Sequence, residues 1–483
     1  MIAPATVLPK SHEESLPLVV DVDGTLIRSD LLHEATLGFI ARNPHLAWQP
    51  LAWLIAGKPR LKSRLADVVD CHPETLPLTA EVLQKVREAQ ETGRKVYLAS
   101  ASERRYVEAV AAHVGGFEGV FATDGAVNLS GSRKAAALIA AFGNGGYDYI
   151  GDSPHDLPVW RAARRVIAVC RRPGFAAKVR SEFPEAEVII PPQADAAAYI
   201  RLLRPYQWAK NLLVFLPLLA GHMFTAQSVL QAILAFACFC TAASSAYVVN
   251  DLLDIPGDRH HPRKRGRPFA SGTIPIAHGP PIAVFLLALA AIGCILLPAA
   301  FAWVLALYMA TTLAYSFVLK RHVLIDVFTL AGLYTLRVLG GVTAVGAVVS
   351  PWLLMFSLFL FLCLAIVKRC SELIARREAG QVAALGRGYR VQDIPMLLGL
   401  GAAAGYSAVL VIALYIGSQE VRVLYAHPLR LWLLCPLLLY WISRTLTLAN
   451  RDELHDDPVI FAFLDRVSWI VGLLAGAIVI AAI

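Results

Sequence analysis

The sequence predicts two structural parts: an N-terminal α/β domain built on a parallel sheet and a C-terminal all-α polytopic membrane bundle of about nine transmembrane helices. Three observations support this prediction. The 483 residues are 57% hydrophobic, with a mean hydropathy of +0.56, which is too apolar for a soluble enzyme. The first 200 residues nevertheless have the composition of ordinary globular sequence. From about residue 211 onward, apolar runs of membrane-spanning length follow one another.

Charge and cysteine content argue against two broad classes of protein. The formal charge of +8 is modest and lies mostly in short loops between apolar runs, which indicates membrane orientation and not nucleic-acid binding. The eight cysteines are scattered without metal-type pairs, which does not fit a disulfide framework. Because residues 1–17 are polar and interrupted by proline, they lack the pattern of a signal peptide, and we expect the first domain to lie in the cytoplasm.

Three short apolar runs, 16–20, 95–99 and 147–150, predict buried parallel strands, and 188–190 is a candidate last strand. The carboxyl ends of such strands meet at one edge of the sheet, where α/β domains bind ligands. Polar residues follow these runs, and a lysine opens an Ala-rich helix between the second and third. The resulting candidate site residues are Asp21, Asp23, Ser100, Lys134, Asp152 and Asp156.

The order of these residues resembles the four motifs of the haloacid-dehalogenase superfamily of phosphatases. The D-x-D-G-T pattern at 21–25 comes first, then Ser100, Lys134, and the G-D-S-P-H-D pattern at 151–156. The resemblance implies a Rossmann-like sheet in a domain spanning 1–192, with a helical cap inserted at about 31–78. Whether the cap selects substrate or meets lipid headgroups is left open.

Each phosphatase residue has a chemical reason to be present. Asp21 would attack phosphorus to form an aspartyl-phosphate, and Asp23 would protonate the leaving oxygen and then activate water. Ser100 and Lys134 would hold the phosphoryl oxygens. The expected Mg²⁺ ligands are Asp21, Asp152 and Asp156, the last of which is either a ligand or a positioning partner. An inert domain retained as a scaffold is the alternative.

A second motif rich in carboxylates begins directly after an apolar run that ends near Val249. Asn250, Asp254 and Asp258 are spaced four apart, so they project from nearly one helix face while the backbone stays helical. Hard oxygen ligands of this kind suit Mg²⁺ carrying a diphosphate. Pro256 is expected to end or bend the helix before the third ligand. A solvated loop of mixed charge is the alternative interpretation.

This motif resembles the first Asp-rich motif of the UbiA superfamily of intramembrane prenyltransferases. Nearby patterns are closer to the branch whose members attach phosphoribose to a polyprenyl (decaprenyl) phosphate: R-P-Y-Q-W-A-K-N at 204–211, R-G-R-P at 265–268, and Y-S at 315–316 before Lys320. The resemblance covers about 200–483. It implies catalytic roles for Asp254 and Asp258 and substrate-binding roles for Lys210, Asn211, Arg265, Arg267 and Tyr315.

The membrane domain is predicted to span 211–483, after a linker and interfacial amphipathic helix at 193–210. Nine spans place the loops 250–279, 320–322, 371–394 and 449–466 on the cytoplasmic side, and these loops carry most of the Lys and Arg of the domain. The predicted spans are about 211–223, 229–249, 280–297, 300–319, 323–349, 352–370, 395–417, 428–448 and 467–483.

Charges within or at the ends of spans complete the predicted transferase site. Such charges are costly at membrane depth and normally face a polar cavity. Lys320, Lys368 and Arg369 could instead be end-caps whose charged heads reach the interface. The superfamily's second Asp-rich motif is not reproduced, because Asp326 has no second carboxylate in register. The predicted substrate-binding residues here are Lys320, Asp326, Arg337, Lys368 and Arg369.

Together these features predict a bifunctional, Mg²⁺-dependent enzyme of the bacterial inner membrane with both sites on the cytoplasmic side. Phosphoribosyl pyrophosphate and a polyprenyl phosphate would bring four phosphate groups into one cleft, which suits the extra cations. The soluble domain would then remove the 5′-phosphate of the product. The alternatives are a conventional prenyltransferase with a prenyl diphosphate donor, a fusion with an inert soluble domain, and a transporter. The expected partners are the two substrates and the bilayer, and a homo-oligomer is left open.

Overall fold

A computed structural model describes residues 16–124, 127–261, 264–378, 388–454 and 458–483. Parts of the predicted N-terminal domain and of the loops 250–279, 371–394 and 449–466 therefore lie outside the described residues. The chain forms two compact units. The first contains 16–202 together with Val248–Pro281, and the second contains Leu203–Tyr247 and Ile282–Ile483. The predicted domain boundaries are placed where the sequence composition changes, whereas these two units are defined by which residues pack together.

The first unit is built on a parallel sheet of six strands in the order β3-β2-β1-β4-β5-β6. The N-terminal parallel sheet predicted from the sequence is therefore confirmed. Two of its strands, β3 and β5, were not predicted. The strands are β1 (Leu18–Val20), β2 (Val96–Glu103), β3 (Gly119–Thr123), β4 (Asp148–Gly151), β5 (Arg165–Val169) and β6 (Glu187–Ile189).

Both faces of the sheet are covered by apolar side chains. In β1, Leu18 and Val20 pack in a core that includes Phe39 and Leu65 of the region predicted as a cap. Val19 points into a second core on the other face. Strands buried on both faces require continuous apolar runs, and this explains why β1 can be recognised in the sequence although it has only three residues.

Among the residues that the structure describes, twelve α-helices lie wholly or partly in the first unit. Helix α1 begins after Asp30, whose side chain accepts a 3.0 Å hydrogen bond from the backbone N–H of His33. The helices are α1 (Leu31–Arg42), α2 (Gln49–Ile55), α3 (Lys58–Val68), α4 (Ala80–Glu91), α5 (Arg104–Val114), α6 (Ser132–Phe142), α7 (Leu157–Trp160), α8 (Pro173–Glu182), α9 (Ala196–Leu203), α12 (Ile255–His260) and the start of α13 (Gly279–Ile295), with the end of α11 (Ala226–Leu253).

The elements of the second unit, within its described residues, are helices joined by turns and loops. Its helices are α10 (Leu216–Ala220), most of α11 and α13, α14 (Ala299–Phe317), α15 (Ile325–Val345), α16 (Pro351–Glu378), α17 (Ile394–Ile416), α18 (Gln419–Leu424), α19 (Leu434–Asn450), α20 (Pro458–Leu464) and α21 (Arg466–Ala482). Within the described residues, seven helices are long and apolar enough to cross a membrane, or eight if the bent pair α20 and α21 is one span. The predicted count of about nine agrees roughly with this.

The difference in count arises at the first predicted span. Residues of the predicted span 211–223 lie instead in a 3₁₀ segment, Pro205–Phe215, and in the five-residue helix α10. Pro205 and Pro217 each stand at the beginning of one of these short elements, where proline is tolerated, and neither element is long enough to cross a bilayer. The last span is also broken, because α20 and α21 meet at 80°.

Candidate functional site

Asp21 and Asp23 follow strand β1 at the edge where it lies between β2 and β4. The backbone N–H of Asp21 donates a 2.9 Å hydrogen bond to the carbonyl of Ile150, which ties the end of β1 to β4. Gly24 has a φ of +75°, and a Cβ atom at this position would lie 2.1 Å from a carboxylate oxygen of Asp152. Only glycine therefore allows Asp152, which follows β4, to come this close to the D-x-D turn.

The Asp23 carboxylate is held by three donors. One oxygen accepts a hydrogen bond from the backbone N–H of Leu31, at 2.8 Å. The other accepts from the hydroxyls of Ser100 at 2.9 Å and Ser102 at 2.7 Å. Burial raises the pKa of Asp23, while these hydrogen bonds oppose the shift. The arrangement presents a carboxyl group of fixed orientation, which is suited to proton transfer.

Lys134 lies between two buried carboxylates. Its Nζ is 2.9 Å from Asp21 and 3.1 Å from Asp156, and it donates to the Tyr149 hydroxyl at 2.8 Å. Burial disfavours the ammonium group, but the two carboxylates outweigh burial and raise the pKa of Lys134. For Asp21 the balance is reversed, and burial raises the pKa of its carboxyl to about 7 despite the nearby lysine.

Three carboxylates meet at this edge in a form that fits a divalent cation. One oxygen each from Asp21, Asp152 and Asp156 lies within 4.8 Å of the others, the only such group of three acidic, His or Cys side chains among the described residues. Burial and the neighbouring carboxylates raise the pKa of Asp152 well above its ordinary value. A divalent cation would relieve this repulsion, and hard carboxylate oxygens are the donors that Mg²⁺ prefers.

A cavity of about 470 Å³ opens above these residues. Its floor holds the acidic residues and Lys134. Lys62 of α3 crosses one side, where its Nζ donates to the carbonyl of Ala101 at 2.6 Å and to Asn128 at 2.7 Å. The remaining wall includes the cap residues Leu32, His33 and Lys58, the cations Arg28 and Arg171, and Pro275, Ile276 and Ala277.

Several of these residues were not predicted from the sequence. Ser102 repeats the hydroxyl of Ser100 two positions later, a signal that could have been used. Tyr149 lies inside the apolar strand β4, where tyrosine is expected simply as a core residue, and the sequence carries no sign of its bond to Lys134. Lys62 lies within the predicted cap, and no local pattern marks it as a residue of the cavity. Its two acceptors lie 39 and 66 residues away in the chain.

The Asp-rich motif belongs to the first unit. The side-chain amide of Asn250 donates to Asp254 at 3.0 Å, so these two predicted ligands are neighbours. Asp258 is buried and forms an ion pair with Arg267, at 2.7 Å, and the same guanidinium nitrogen is 3.0 Å from Asp251. A cation thus lies between two carboxylates of the motif. Arg265 is exposed.

In the second unit, Arg337 lies in α15 and is almost completely buried. Its nitrogens donate to Asn211 at 2.8 Å, to the carbonyl of Leu333 at 2.7 Å and to the hydroxyl of Tyr308 at 2.9 Å. Its guanidinium also lies 4.8 Å from the centre of the Tyr308 ring. The structure therefore brings together two predicted residues, Asn211 and Arg337. Their binding of substrate stays a prediction.

A second charged cluster of this unit joins α15 and α16. Asp326 and Arg369 are fully buried and form an ion pair, with nitrogen and oxygen 2.8 Å apart. Tyr389 donates its hydroxyl to Asp326, and Arg369 also pairs with Glu372. The other predicted residues lie on neighbouring elements: Lys210 in the 3₁₀ segment 5.7 Å from the Tyr334 ring, Tyr315 in α14, Lys320 in the turn Leu319–Arg321, and Lys368 in α16.

Fold and site together define a multi-pass membrane enzyme that carries a hydrolase-type α/β domain. Comparison with known families agrees with this. Residues 52–161 match the haloacid dehalogenase-like hydrolases, and residues 214–467 match the UbiA prenyltransferase family. Since the second match covers more than half of the 483 residues, the chain belongs to the UbiA prenyltransferase family.

Several individual proteins and solved structures are also similar to this chain. An uncharacterized protein of Sinorhizobium fredii is 36% identical over 473 residues, which are 97% of this chain and 92% of that protein. Decaprenyl-phosphate phosphoribosyltransferase of Corynebacterium glutamicum is 38% identical over 196 residues, 39% of this chain and 59% of that enzyme. Among solved structures, a UbiA homolog from Archaeoglobus fulgidus bound to GPP and Mg²⁺ covers 58% of this chain and 99% of its own, at 19% identity and a TM-score of 0.45.

Proposed function

We propose that this chain transfers 5-phosphoribose from phosphoribosyl pyrophosphate to a polyprenyl phosphate and then removes the 5′-phosphate of the product. The observation that carries the proposal is the position of one segment. The stretch that begins with the Asp-rich motif continues, 17 residues after Asp258, into Pro275, Ile276 and Ala277 of the phosphatase cavity wall. Such a segment would suit an enzyme in which one lipid headgroup reacts first at the Asp-rich motif and then in the phosphatase cavity.

In the transfer step, an oxygen of the polyprenyl phosphate attacks C1 of the ribose, and the C1–oxygen bond to pyrophosphate breaks. Asn250, Asp254 and Asp258 would hold Mg²⁺, which when bound supplies positive charge to the departing pyrophosphate. Arg267 would exchange its carboxylate partners for phosphate oxygens. The similarity to decaprenyl-phosphate phosphoribosyltransferase over 196 residues supports this donor and acceptor.

In the phosphatase step, Asp21 attacks the phosphorus of the 5′-phosphate, and the bond from phosphorus to the ribose O5′ breaks. Asp23 gives its proton to O5′ and then takes a proton from the water that cleaves the aspartyl-phosphate. Lys134 holds a phosphoryl oxygen while remaining close to Asp21. Asp21, Asp152 and Asp156 would hold Mg²⁺, which when bound screens the carboxylates from the phosphate.

Both reactions would occur at the cytoplasmic face of the bacterial inner membrane. The predicted cytoplasmic loops carry most of the Lys and Arg of the membrane domain, which supports this orientation. The expected partners are the bilayer, the polyprenyl phosphate and phosphoribosyl pyrophosphate.

The test uses the purified full-length protein in lipid nanodiscs with labelled phosphoribosyl pyrophosphate, polyprenyl phosphate and Mg²⁺. Asp21→Asn preserves side-chain size but removes the attacking charge. We expect the variant to accumulate polyprenyl-phosphoryl-5-phosphoribose, whereas the wild type proceeds to the lipid without the 5′-phosphate. Mass spectrometry distinguishes the two lipids by one phosphate.

Other outcomes identify what is wrong with the proposal. If wild type and variant both stop at the 5-phosphate, the soluble domain acts on another substrate or is inert. If the wild type ignores phosphoribosyl pyrophosphate but consumes a prenyl diphosphate with an aromatic acceptor, the chain is a conventional prenyltransferase, the activity for which its family is named.

A further inference from the structure

The phosphatase cavity is lined by two arginines that the phosphoryl chemistry does not require. Lys134 already serves the reacting phosphate from the floor, where it is bonded to Asp21 and Asp156. Arg28 and Arg171 line the same cavity. Neither belongs to the residues that resemble the phosphatase motifs.

Both arginines have donors that no protein acceptor uses. The Nε atoms of Arg28 and Arg171 are buried, and within the described residues neither has a hydrogen-bond partner. Burial lowers the pKa of Arg171, and the positive charge of Arg28 acts in the same direction, while Asp152 opposes them. Two guanidinium groups that repel each other across one cavity are suited to share an anion, because planar guanidinium donors match phosphate oxygens.

The position of Arg28 depends on the segment that follows the Asp-rich motif. Its backbone N–H donates to the carbonyl of Pro77 at 2.8 Å. On the other side lies Gly272, with a φ of +68°, where an added Cβ would come within 2.7 Å of the Arg28 carbonyl oxygen and 2.8 Å of its Cβ. The buried Ile276 then adds an apolar surface beside the two cations. Arg28 is therefore held by contacts with two segments of the first unit, one at Pro77 and one at Gly272.

We propose that Arg28 and Arg171 form a subsite for a second phosphate of the phosphatase substrate, distinct from the phosphate that is removed. This inference rests on the proposed function, because the phosphoribosylated lipid carries a phosphodiester in addition to its 5′-phosphate. The substrate class is a sugar phosphomonoester with a second phosphate on the same sugar. The apolar wall at Ile276 and Ala277 lies where the group attached to that second phosphate could pass.

The test compares two water-soluble substrates that differ by one phosphate, ribose 1,5-bisphosphate and ribose 5-phosphate, using the full-length protein with Mg²⁺. Chromatography of the sugar products identifies loss of the 5-phosphate. We expect kcat/KM for the bisphosphate to be about a hundredfold higher, the ratio that two charge-assisted hydrogen bonds confer, one from each arginine. Arg28→Gln and Arg171→Gln should each reduce this preference about tenfold by raising KM for the bisphosphate.

Arg172→Gln is the matched control, because this neighbouring arginine is exposed and does not line the cavity. It removes the same charge and should leave the preference unchanged. Equal kcat/KM for the two substrates in the wild type would overturn the subsite. So would variants that lose ribose 5-phosphate turnover as strongly as bisphosphate turnover, since the arginines would then act on the reacting phosphate or on the fold.

The lipid experiment separates this inference from the proposed function. A lipid that loses its 5′-phosphate, combined with no preference for the bisphosphate, would overturn the subsite alone. A clear preference for the bisphosphate, combined with a lipid that keeps its 5′-phosphate, would support the subsite and overturn the lipid as the natural substrate. If neither ribose ester is cleaved while p-nitrophenyl phosphate is, the subsite for this substrate class is overturned.

Discussion

Glu34 in α1 and Arg259 in α12 form a bidentate ion pair, with distances of 2.6 and 3.1 Å, across 225 residues of sequence. Arg259 follows Asp258 of the Asp-rich motif and also donates to the carbonyl of Ala270 at 2.9 Å. Helix α1 begins at Leu31, whose N–H is bonded to Asp23. The first turn of α1 is therefore held by Asp23 at its beginning and, three residues later, by Arg259 next to the Asp-rich motif.

Removing one member of this pair should destabilise the first unit. Only 4% of the Arg259 side chain and 14% of the Glu34 side chain are exposed, so Arg259→Gln leaves a largely buried carboxylate without its cationic partner and with the Ser29 hydroxyl as a remaining donor. We expect a loss of about 3–5 kcal/mol in the free energy of unfolding. A double-mutant cycle with Glu34→Gln, followed by thermal unfolding, measures the coupling between the two side chains.

The control for this cycle is the exposed pair of Arg161 and Glu182, which has a similar distance of 2.6 Å but a 63% exposed arginine side chain. Solvent screening limits such a pair to about 0–1 kcal/mol. Equal coupling energies for the two pairs would show that burial of Arg259 contributes nothing.

Asp23→Asn should slow phosphate release by about 10²- to 10⁴-fold, the range for loss of a positioned general acid or base. The amide keeps the shape of the carboxylate: its oxygen can accept from the Leu31 N–H, and its NH2 can donate to the hydroxyl oxygens of Ser100 and Ser102, so the fold should persist. Phosphate release is measured with p-nitrophenyl phosphate and with a sugar phosphate. The defect should be smaller for p-nitrophenyl phosphate, whose leaving group needs little protonation. Equal defects would argue against proton transfer by Asp23.

Mg²⁺ binding by Asp21, Asp152 and Asp156 should weaken as the pH falls through about 7, where the buried Asp21 carboxyl takes up its proton. A proton and a cation compete for this carboxylate, so apparent affinity should fall by up to about tenfold per pH unit below that value. Calorimetric Mg²⁺ titrations of the wild type and of Asp21→Asn measure this. The variant lacks the Asp21 carboxyl and keeps Asp152, whose pKa is also raised, so its affinity should depend less steeply on pH. A pH dependence identical to that of the wild type would contradict the assignment.

Asp254→Asn and Asp258→Asn should abolish transfer of phosphoribose, because each removes a charged ligand from the Asp-rich motif. Phosphatase activity of the same preparations on p-nitrophenyl phosphate is the internal control for folding, since Asp21 and its neighbours are unchanged. Full Mg²⁺-dependent transfer by both variants would refute the metal assignment in this motif.

Asp326→Asn should destabilise the second unit by about 3–5 kcal/mol, because Arg369 is fully buried and would lose much of the charge that compensates it. Thermal unfolding in detergent measures this effect, and the KM for phosphoribosyl pyrophosphate tests the predicted binding role separately. An unchanged melting temperature with a raised KM would indicate that Asp326 serves substrate and not the fold.

Local sequence patterns were sufficient to predict the parallel sheet, the apolar helices and the families. Apolar runs such as the one around β1 are set by burial on both sheet faces, and the D-x-D-G-T motif needs glycine where Asp152 approaches. The first requirement acts on every residue of a run, and the second fixes one residue within a five-residue motif, so both leave a visible pattern. The predicted roles of the site residues remain predictions.

Only the tertiary structure decided which distant residues meet. Strand β3 and the bond from Tyr149 to Lys134 depend on pairing and packing partners elsewhere in the chain. The same is true of Arg28 beside Gly272 and of Glu34 beside Arg259. An ion pair across 225 residues leaves no periodic signal, because one glutamate and one arginine at the surface of their helices look like any solvated charges until the fold buries them together.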